Sequence, residues 1–391
     1  MHSQTTNPRV AIACGGTGGH LFPGLAVAGQ LIQHGCLVTL LISPKEVDQQ
    51  AVKAAAGMQV ATLPAVGLTK GSRLAFLRGF VQSYLAAKRL FKAEMPEAVL
   101  AMGGFTSAPP VLAGKSMGAP TFLHESNTIP GRANRWLSRV ISQAFVGFPE
   151  SAARLHTRNV KVTGTPVRPQ FQAADAAACR IALGLDPHRP VLLVTGGSQG
   201  ASGLNNMVIE ALPLLAKKLP ELQLFHLTGP GDGGRVEAAC AANHIKAVVR
   251  PFFAEMHLAL GAASVAVSRA GASSLAELAA MRVPAILVPY PAATDDHQHF
   301  NALAFEKTGA GYLLAQKKST PEVLALKAIE LIMESAARDK MRLALGERHS
   351  PKAAEEIAES IMQAITARRR AMGGAKIAPP ANIQHRQSVI T

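Results

Sequence analysis

The most constraining feature of the sequence is a unit of apolar strand, glycine-rich loop and helix that occurs twice. The first copy runs from an apolar segment, residues 10–13, into a loop with glycine at four of its five positions, residues 15–19. A helical pattern follows at residues 25–32. The second copy begins with an apolar run at residues 191–194 and continues through Gly196-Gly197-Ser198-Gln199-Gly200. Such units are typical of parallel α/β sheets, where the loop and the helix N-terminus approach a phosphate or sugar.

Apolar segments alternate with helical ones through both halves, which predicts two doubly wound, Rossmann-like domains facing each other across a cleft. We assign residues 9–165 to the N-terminal domain and 166–350 to the C-terminal domain, with a Gly/Pro-rich linker near Gly164 to Pro169. A helix at about 351–367 is expected to pack back on the first domain. The rest, 368–391, carries only basic charges and is predicted to be a disordered tail.

Composition limits the compartment and the class of protein. The chain is 48% hydrophobic and 17% charged, as suits large buried sheets. Its four cysteines are far apart, so neither a zinc site nor a disulfide framework is expected. The pattern instead favours a reducing compartment. The polar N-terminus lacks a signal core, and no run of about 18 apolar residues exists. These features predict a cytoplasmic protein.

A net charge of +15 calls for an anionic partner, either nucleic acid or membrane. Aromatic residues make up only 5% of the chain, which argues against single-strand nucleic-acid binding. The basic segment 66–92 contains no acidic residue and has apolar side chains at roughly helical spacing. Such a segment either lies on an anionic membrane or buries one face in its own domain. The predicted membrane contacts are Lys70, Arg73, Leu74, Phe76, Leu77, Arg78 and Phe80.

Three further polar or glycine-rich turns follow predicted strands, where ligands bind in open α/β sheets. They are Gly103-Gly104-Phe105, His124-Glu125-Ser126-Asn127 and the segment 268–278, in which Ser273 or Ser274 would cap a helix. Glu277, one turn into that helix, either binds a ribose diol or is a solvated first-turn glutamate.

Two sets of histidines and carboxylates allow more than one interpretation. His20 could be a general base, since imidazole titrates near physiological pH, or it could pack against its own loop. Asp295, Asp296, His297 and His299 contain metal-ligand types, but their spacing favours an ordinary polar loop that caps the next helix.

Taken together and in order, these motifs closely resemble the MurG family, the N-acetylglucosaminyltransferases of bacterial peptidoglycan synthesis. The resemblance covers about residues 9–366 and rests on the five motifs at residues 15–26, 103–105, 124–127, 196–201 and 269–277. It implies a GT-B architecture and inverting transfer of GlcNAc from UDP-GlcNAc to the C4 hydroxyl of MurNAc in undecaprenyl-diphospho-MurNAc-pentapeptide (lipid I), giving lipid II for the cell wall. No cofactor and no metal are implied.

The resemblance also implies roles for individual residues. The donor UDP-GlcNAc would contact Thr17, Gly18, Gly19, Asn127, Arg168, Ser198, Phe253, Ala272, Ser273, Ser274, Leu275, Ala276, Glu277 and Gln298. The acceptor side would include Gly15, Gly16, Gly103, Gly104 and Phe105. For the base that deprotonates the acceptor hydroxyl, His20 is the first choice and Glu125 the second.

The resemblance places the enzyme as a peripheral protein on the cytoplasmic face of the inner membrane, with lipid I, the anionic surface and other cell-wall synthesis proteins as candidate partners. The alternatives are a UDP-sugar transferase with another lipid or small-molecule acceptor, and a UDP-GlcNAc epimerase. A nucleic-acid-binding protein would explain the charge but not the paired glycine-loop halves.

Overall fold

A computed structural model of the chain describes residues 7–15, 18–44, 58–64, 73–197 and 200–373. Within these residues the strands are β1 Arg9–Ala13, β2 Leu37–Ile42, β3 Gln59–Thr62, β4 Ala98–Ala101, β5 Thr121–Glu125, β6 Gln143–Val146, β7 Val160–Val162, β8 Val191–Thr195, β9 Gln223–Leu227, β10 Lys246–Arg250, β11 Val265–Ser268, β12 Ala285–Leu287 and β13 Tyr312–Leu313. They form two parallel sheets, with strand orders β3-β2-β1-β4-β5-β6-β7 and β10-β9-β8-β11-β12-β13. The predicted class, two parallel α/β domains, is confirmed.

The helices between these strands alternate with them as the apolar pattern predicts. They are α1 Gly18–Gln33, α2 Arg73–Ala93, α3 Ala108–Ser116, α4 Arg132–Leu137, α5 Pro149–Ala152, α6 Ala176–Ala182, α7 Ser202–Lys218, α8 Gly233–Ala242, α9 Met256–Ala262, α10 Ala272–Met281, α11 His297–Glu306, α12 Pro321–Met333, α13 Ser335–Arg348 and α14 Ala353–Ala371, with short 3-10 turns at Phe105–Ser107 and Thr294–Asp296.

The central strands of both sheets, such as β1, β4, β8 and β11, are buried on two faces, and they are almost wholly apolar rather than alternating. In the first domain α1 and α14 cover one face of the sheet, and α2, α3 and α4 cover the other. The second sheet has its own core with α7, α10 and α12. The loops after the strands of each sheet therefore project from its carboxyl edge, where they can line the space between the domains.

The C-terminal helix α14 crosses back to the first domain. Ile357, Ile361 and Ile365 are fully buried in the core that contains α1. The helix continues to Ala371, beyond the predicted end near residue 367, and Arg369 pairs with Glu97. The predicted disordered tail is therefore wrong for residues 368–371, which are helical, and residues 374–391 lie outside the described part. The domain boundary predicted at residue 165 lies between the two sheets and stays a prediction.

Candidate active site between the two domains

His20 lies in the first turn of α1, and its ring packs on the glycine pair after β4. A Cβ atom added to Gly103 would lie 2.8 Å from Nε2 of His20, and one added to Gly104 would lie 3.4 Å from Cε1. Both glycines have positive φ, 123° and 78°, which glycine adopts without steric cost. Thr106 ties the two loops together, since its hydroxyl donates to the carbonyl of Gly15 at 2.8 Å. The imidazole thus lies at the carboxyl ends of β1 and β4.

The N-terminus of α1 meets that of α10 across the cleft. The hydroxyl of Ser273 donates to the carbonyl of Gly19 at 2.9 Å. Gly271, without a side chain, is the N-cap of α10, so the prediction that Ser273 or Ser274 caps the helix is wrong. The first helical bond runs from Leu275 N to Gly271 O, at 3.0 Å. The N–H groups of the three preceding residues have no acceptor within the helix and are suited to an anion.

Glu277, one turn further along α10, forms an ion pair with Arg168. Their Oε1 and Nη2 atoms are 3.7 Å apart, and the side chains are 14% and 12% exposed. The guanidinium of Arg168 lies over the ring of Phe22 in α1, 4.2 Å from its centroid. Burial raises the pKa of Glu277 to about 7, and the charge of Arg168 opposes that rise. Glu277 is therefore a carboxyl group enclosed between the domains rather than a solvated one.

Glu125, the second candidate base, is buried and accepts four hydrogen bonds from its own loop and from helix α4. Its Oε1 accepts from N and Nδ2 of Asn127, at 2.9 and 3.0 Å. Its Oε2 accepts from N of Gly131 and Nδ2 of Asn134, at 2.9 and 2.8 Å. Burial raises the pKa of Glu125 and these four donors lower it. Because both oxygens are engaged within the loop, the geometry favours a positioning role for Glu125 over the predicted role as base.

We expect Glu125→Gln to destabilise the protein by about 2–4 kcal/mol, because the new amide group would face N–H donors in a buried site. The free energy of unfolding is measured by urea denaturation, and its dependence on urea concentration should be the same in the variant and the wild type. Glu359→Gln, at an exposed carboxylate of α14, is the control and should change the free energy of unfolding by less than about 0.5 kcal/mol. Equal stabilities for the two variants would contradict the role assigned to Glu125.

His124 also lies near the cleft but is held in a neutral form. Its Nε2 is 3.0 Å from the carbonyl of Gly164, and its Nδ1 is 3.2 Å from the hydroxyl of Ser126. Burial lowers the pKa of His124 to about 4; the carbonyl of Gly164 opposes this, and the charge of His20 adds to it. With one nitrogen donating to a backbone carbonyl, this ring serves to tie β5 to the interdomain linker.

The remaining donor-side candidates lie on the C-terminal domain. Gln298 accepts from the backbone N of Tyr290 through Oε1 at 2.9 Å, which fixes it at the start of α11. The ring of Phe253 packs edge-on against Phe225, with centroids 5.3 Å apart. Ala272 and Leu275 are buried, whereas Ser274 and Ala276 are partly exposed.

The candidate metal ligands Asp295, Asp296, His297 and His299 lie in the 3-10 turn before α11 and in the first turn of α11. Asp295 instead pairs across the cleft with Arg132 at 3.3 Å and Arg135 at 3.0 Å. Nδ1 of His297 is 2.7 Å from the carbonyl of Thr294. In the described part of the chain, no group of three or more His, Cys, Asp or Glu residues is arranged to hold a metal ion. These contacts are those of a polar loop, but Asp296, the N-cap residue of α11, makes no capping hydrogen bond through its side chain.

Some of the predicted site residues cannot be placed. Gly16, Thr17, Ser198 and Lys70 lie outside the described residues, as does the side chain of Arg73. The glycines around Ser198 are described, and Gly200 has φ of 74°. A Cβ atom there would lie 2.4 Å from the carbonyl of Thr228, so the loop can lie this close to β9 only with glycine at this position.

Helix α2 carries the predicted membrane residues on two different faces. Leu74 and Leu77 are 80% and 58% exposed, and Arg78 is exposed as well. Phe76 instead packs edge-on against Phe105, with centroids 5.7 Å apart, and Phe80 lies against the core of the domain. Both phenylalanines therefore pack within their own domain, as the second interpretation of segment 66–92 expects, and contact of Phe76 and Phe80 with a membrane stays a prediction.

The outward stripe of α2 continues beyond the predicted residues. Val81 and Leu85 are each 45% exposed and follow Leu77 at intervals of four, so they extend the same face. Among the described residues, none of the helices is both long and apolar enough to cross a bilayer.

Comparison with known proteins identifies the family. Models of the N-terminal and C-terminal domains of glycosyltransferase family 28 match residues 10–146 and 191–359. A solved structure of MurG from Acinetobacter baumannii superposes with a TM-score of 0.70 at 29% identity, covering 91% of this chain and all of that one. The UDP-N-acetylglucosamine–N-acetylmuramyl-(pentapeptide) pyrophosphoryl-undecaprenol N-acetylglucosamine transferase of Anaeromyxobacter sp. strain K is 38% identical over 92% of this chain and 94% of its own. The chain belongs to the MurG family.

Other relatives agree with this membership. The transferase of the same name from Geobacter sulfurreducens is 36% identical over 93% of this chain and 99% of its own. A UDP-N-acetylglucosamine 2-epimerase structure also superposes, with a TM-score of 0.66 over 96% of this chain, but at 13% identity. That likeness shows the shared fold alone. The resemblance to MurG inferred from the sequence motifs is confirmed, and the chain is a glycosyltransferase.

Two buried residues of the cleft were missed from the sequence. Arg269, which is 6% exposed, precedes the α10 turn and donates through Nη1 to the carbonyls of Val288 and Pro289, both at 3.0 Å. Burial lowers its pKa to about 10. Asn301 in α11 is fully buried and bonds to residues of the other domain. An arginine directly before a glycine turn was a usable signal, whereas nothing local marks Asn301.

Proposed function

We propose that this chain transfers GlcNAc from UDP-GlcNAc to the C4 hydroxyl of MurNAc in lipid I, with inversion at the sugar, and so forms lipid II. The observation that carries the proposal is the bond between Ser273 and Gly19, which brings the N-terminus of α10 against the first turn of α1, where His20 lies. One cleft thereby holds an anion site and a potential base, as a sugar transfer from a nucleotide diphosphate requires. The transferases of Anaeromyxobacter and Geobacter named above, at 38% and 36% identity, support the donor and the acceptor.

The donor is proposed to lie along the C-terminal domain. The N–H groups at Ala272 to Ser274 would receive the diphosphate, and Glu277 the ribose hydroxyls. Gln298 would bind the hydroxyls of GlcNAc, and the backbone at Phe253 would meet the uracil. Ser198 and Arg168 would add hydrogen bonds and positive charge as the diphosphate departs.

In the proposed reaction, the C4 oxygen of the acceptor attacks C1 of GlcNAc while the bond from C1 to the diphosphate oxygen breaks. The acceptor proton passes to His20, and UDP leaves with the electron pair of the broken bond. Attack opposite the leaving group inverts the configuration at C1. Gly15, Gly103, Gly104 and Phe105 would form the acceptor wall, and Glu125 would hold Asn127 toward the donor.

The deciding experiment incubates the protein with radiolabelled UDP-GlcNAc, with and without a short-chain lipid I analogue. Label in the lipid product only when the analogue is present is the expected result. Release of UDP, or formation of an epimer, at the same rate without the analogue would overturn the proposal and favour an epimerase of this fold.

The acceptor carries a lipid tail, and the exposed face of α2 supports binding at an anionic bilayer. The stripe of Leu74, Leu77, Val81 and Leu85 is accompanied by Arg78, Lys88 and Arg89, with no acidic residue in the helix. Apolar side chains that enter the interface and cations that face anionic headgroups act together in such helices. We propose that this face docks the enzyme peripherally on the cytoplasmic face of the inner membrane.

Leu77→Glu is expected to lower binding to phosphatidylglycerol-containing vesicles about tenfold. The variant loses a leucine that would be buried in the membrane interface, and its negative charge faces the anionic surface. Co-sedimentation with vesicles measures it. Val162→Glu is the matched control, since Val162 is also exposed, at 51%, but lies on edge strand β7. Equal loss of binding in both variants would show that the site on α2 is assigned wrongly.

A further inference from the structure

The side chain of Asn301 forms a buried connection between the two domains. It is fully buried, and all of its hydrogen-bonding capacity is used. Oδ1 accepts from N and Oγ1 of Thr128, at 2.9 and 3.0 Å. Nδ2 donates to Oδ1 of Asn127 at 3.0 Å and to the carbonyl of Ala270 at 3.2 Å. Because the N–H of Thr128 can only donate, the orientation of the amide is fixed by its partners.

These four bonds join parts of the site that lie far apart in the sequence. Asn127 is held by Glu125, whose Oε1 accepts hydrogen bonds from both N and Nδ2 of Asn127. Ala270 begins the turn that leads into α10. A continuous chain of hydrogen bonds therefore runs from Glu125 through Asn127 and Asn301 to the turn before α10.

We infer that Asn301 is a positioning residue, which holds the closed arrangement of the domains and sets Asn127 against the α10 turn. A buried amide with four partners stabilises one geometry, because each partner left unpaired by domain opening must find water instead. The consequence for catalysis rests on the proposed function, since it assumes that the donor binds between these two elements.

A second connection between the same two domains serves as an internal comparison. Arg132 and Arg135 pair with Asp295, but their side chains are 66% and 41% exposed. Exposed ion pairs contribute little in water and are screened by salt. We therefore expect the buried amide, and not the exposed ion pairs, to dominate the closure equilibrium.

The first test measures domain separation without substrate, by electron spin resonance between nitroxides at Arg158→Cys and Lys318→Cys, which are exposed positions of the two domains. Asn301→Ala should shift the distance distribution toward longer separations, with at least a tenfold change in the ratio of open to closed forms. Asp295→Asn should change that ratio less than threefold. Asn205→Ala, which removes an equally buried amide bonded within the C-terminal domain, should lower the melting temperature but leave the distances unchanged.

The second test is kinetic. If only the closed form binds the donor, the apparent dissociation constant equals the intrinsic one divided by the fraction of protein that is closed. Asn301→Ala should therefore raise the KM for UDP-GlcNAc about tenfold and leave kcat within threefold of the wild type. Thr128→Ser keeps the hydroxyl and should behave like the wild type, whereas Thr128→Val should fall between wild type and Asn301→Ala.

The two tests fail in different ways. Unchanged distances in Asn301→Ala, with a melting temperature lowered as in Asn205→Ala, would overturn the inference. Asn301 would then only contribute to the stability of the fold. Absence of acceptor-dependent transfer in the wild type would refute the proposed function, while the distance measurement would still decide the connection between the domains.

Discussion

Replacing His20 with alanine is expected to lower kcat by about 100-fold to 10,000-fold and to leave the KM for UDP-GlcNAc within about threefold. The ring lies against Gly103 and Gly104 at the carboxyl ends of β1 and β4, which is the proposed acceptor side of the cleft. Loss of a base affects the step in which the acceptor hydroxyl loses its proton, whereas the groups assigned to the donor stay in place. The measurement is steady-state kinetics with lipid I analogue at saturating donor.

Two controls separate proton transfer from packing in this experiment. His20→Gln keeps a polar side chain of similar reach but no base, and it should be as slow as His20→Ala. His156→Ala removes an exposed imidazole of the same domain, next to Arg139, and should retain nearly full turnover. Added imidazole should partly restore His20→Ala, because the cavity left by the ring admits a soluble base. Turnover of His20→Ala within tenfold of the wild type would remove His20 as the base.

The sheet cores were predictable because parallel strands buried on both faces are continuous apolar runs. The apolar runs at residues 10–13 and 191–194 lie within the central strands β1 and β8. The strands β3 and β13, in contrast, lie at sheet edges. β3, Gln59–Thr62, is mostly exposed, and β13 has two residues, so neither carries the apolar signal of a central strand.

The site was predictable where chemistry follows a strand directly, and not where it depends on pairing between domains. Glycine pairs such as Gly103-Gly104 mark backbone that must approach another group, and here that group is the ring of His20. By contrast, the bond between Thr128 and Asn301 joins positions 173 residues apart. No spacing rule reaches that far, so the connection could be seen only in three dimensions.

Burial, which local sequence does not reveal, also explains why the predictions for Glu125 and Glu277 differ from their observed environments. A carboxylate in a polar turn is a natural candidate base, yet Glu125 uses both oxygens to fold its own loop. Glu277 was expected either to bind ribose or to be a solvated first-turn glutamate, yet burial beside Arg168 raises its pKa to about 7. Local sequence gives the residue type, whereas burial decides its protonation.

Replacing Glu277 with alanine is expected to raise the KM for UDP-GlcNAc about 100-fold with little change in kcat. The ionised carboxylate is proposed to accept two hydrogen bonds from the ribose diol, and each charge-assisted bond contributes about 1.5–3 kcal/mol. Because the pKa of Glu277 is raised to about 7, the ionised fraction rises about tenfold between pH 6 and pH 8. The wild-type KM for the donor should therefore fall about tenfold over that range, and Glu277→Gln should show no such dependence.

Stability should change in the opposite direction with pH, which makes the assignment to Glu277 specific. A carboxyl group whose pKa is higher in the folded than in the unfolded state stabilises the fold fully below its ordinary pKa, and this contribution is lost as the pH rises through about 7. The melting temperature of the wild type without donor should thus fall relative to that of Glu277→Gln between pH 6 and pH 8. Donor affinity and stability then titrate together with opposite signs, because the charge that binds ribose is the one that burial disfavours. Two results would contradict this assignment to Glu277. One is a wild-type KM that stays constant over this pH range, and the other is a KM of Glu277→Gln that still depends on pH.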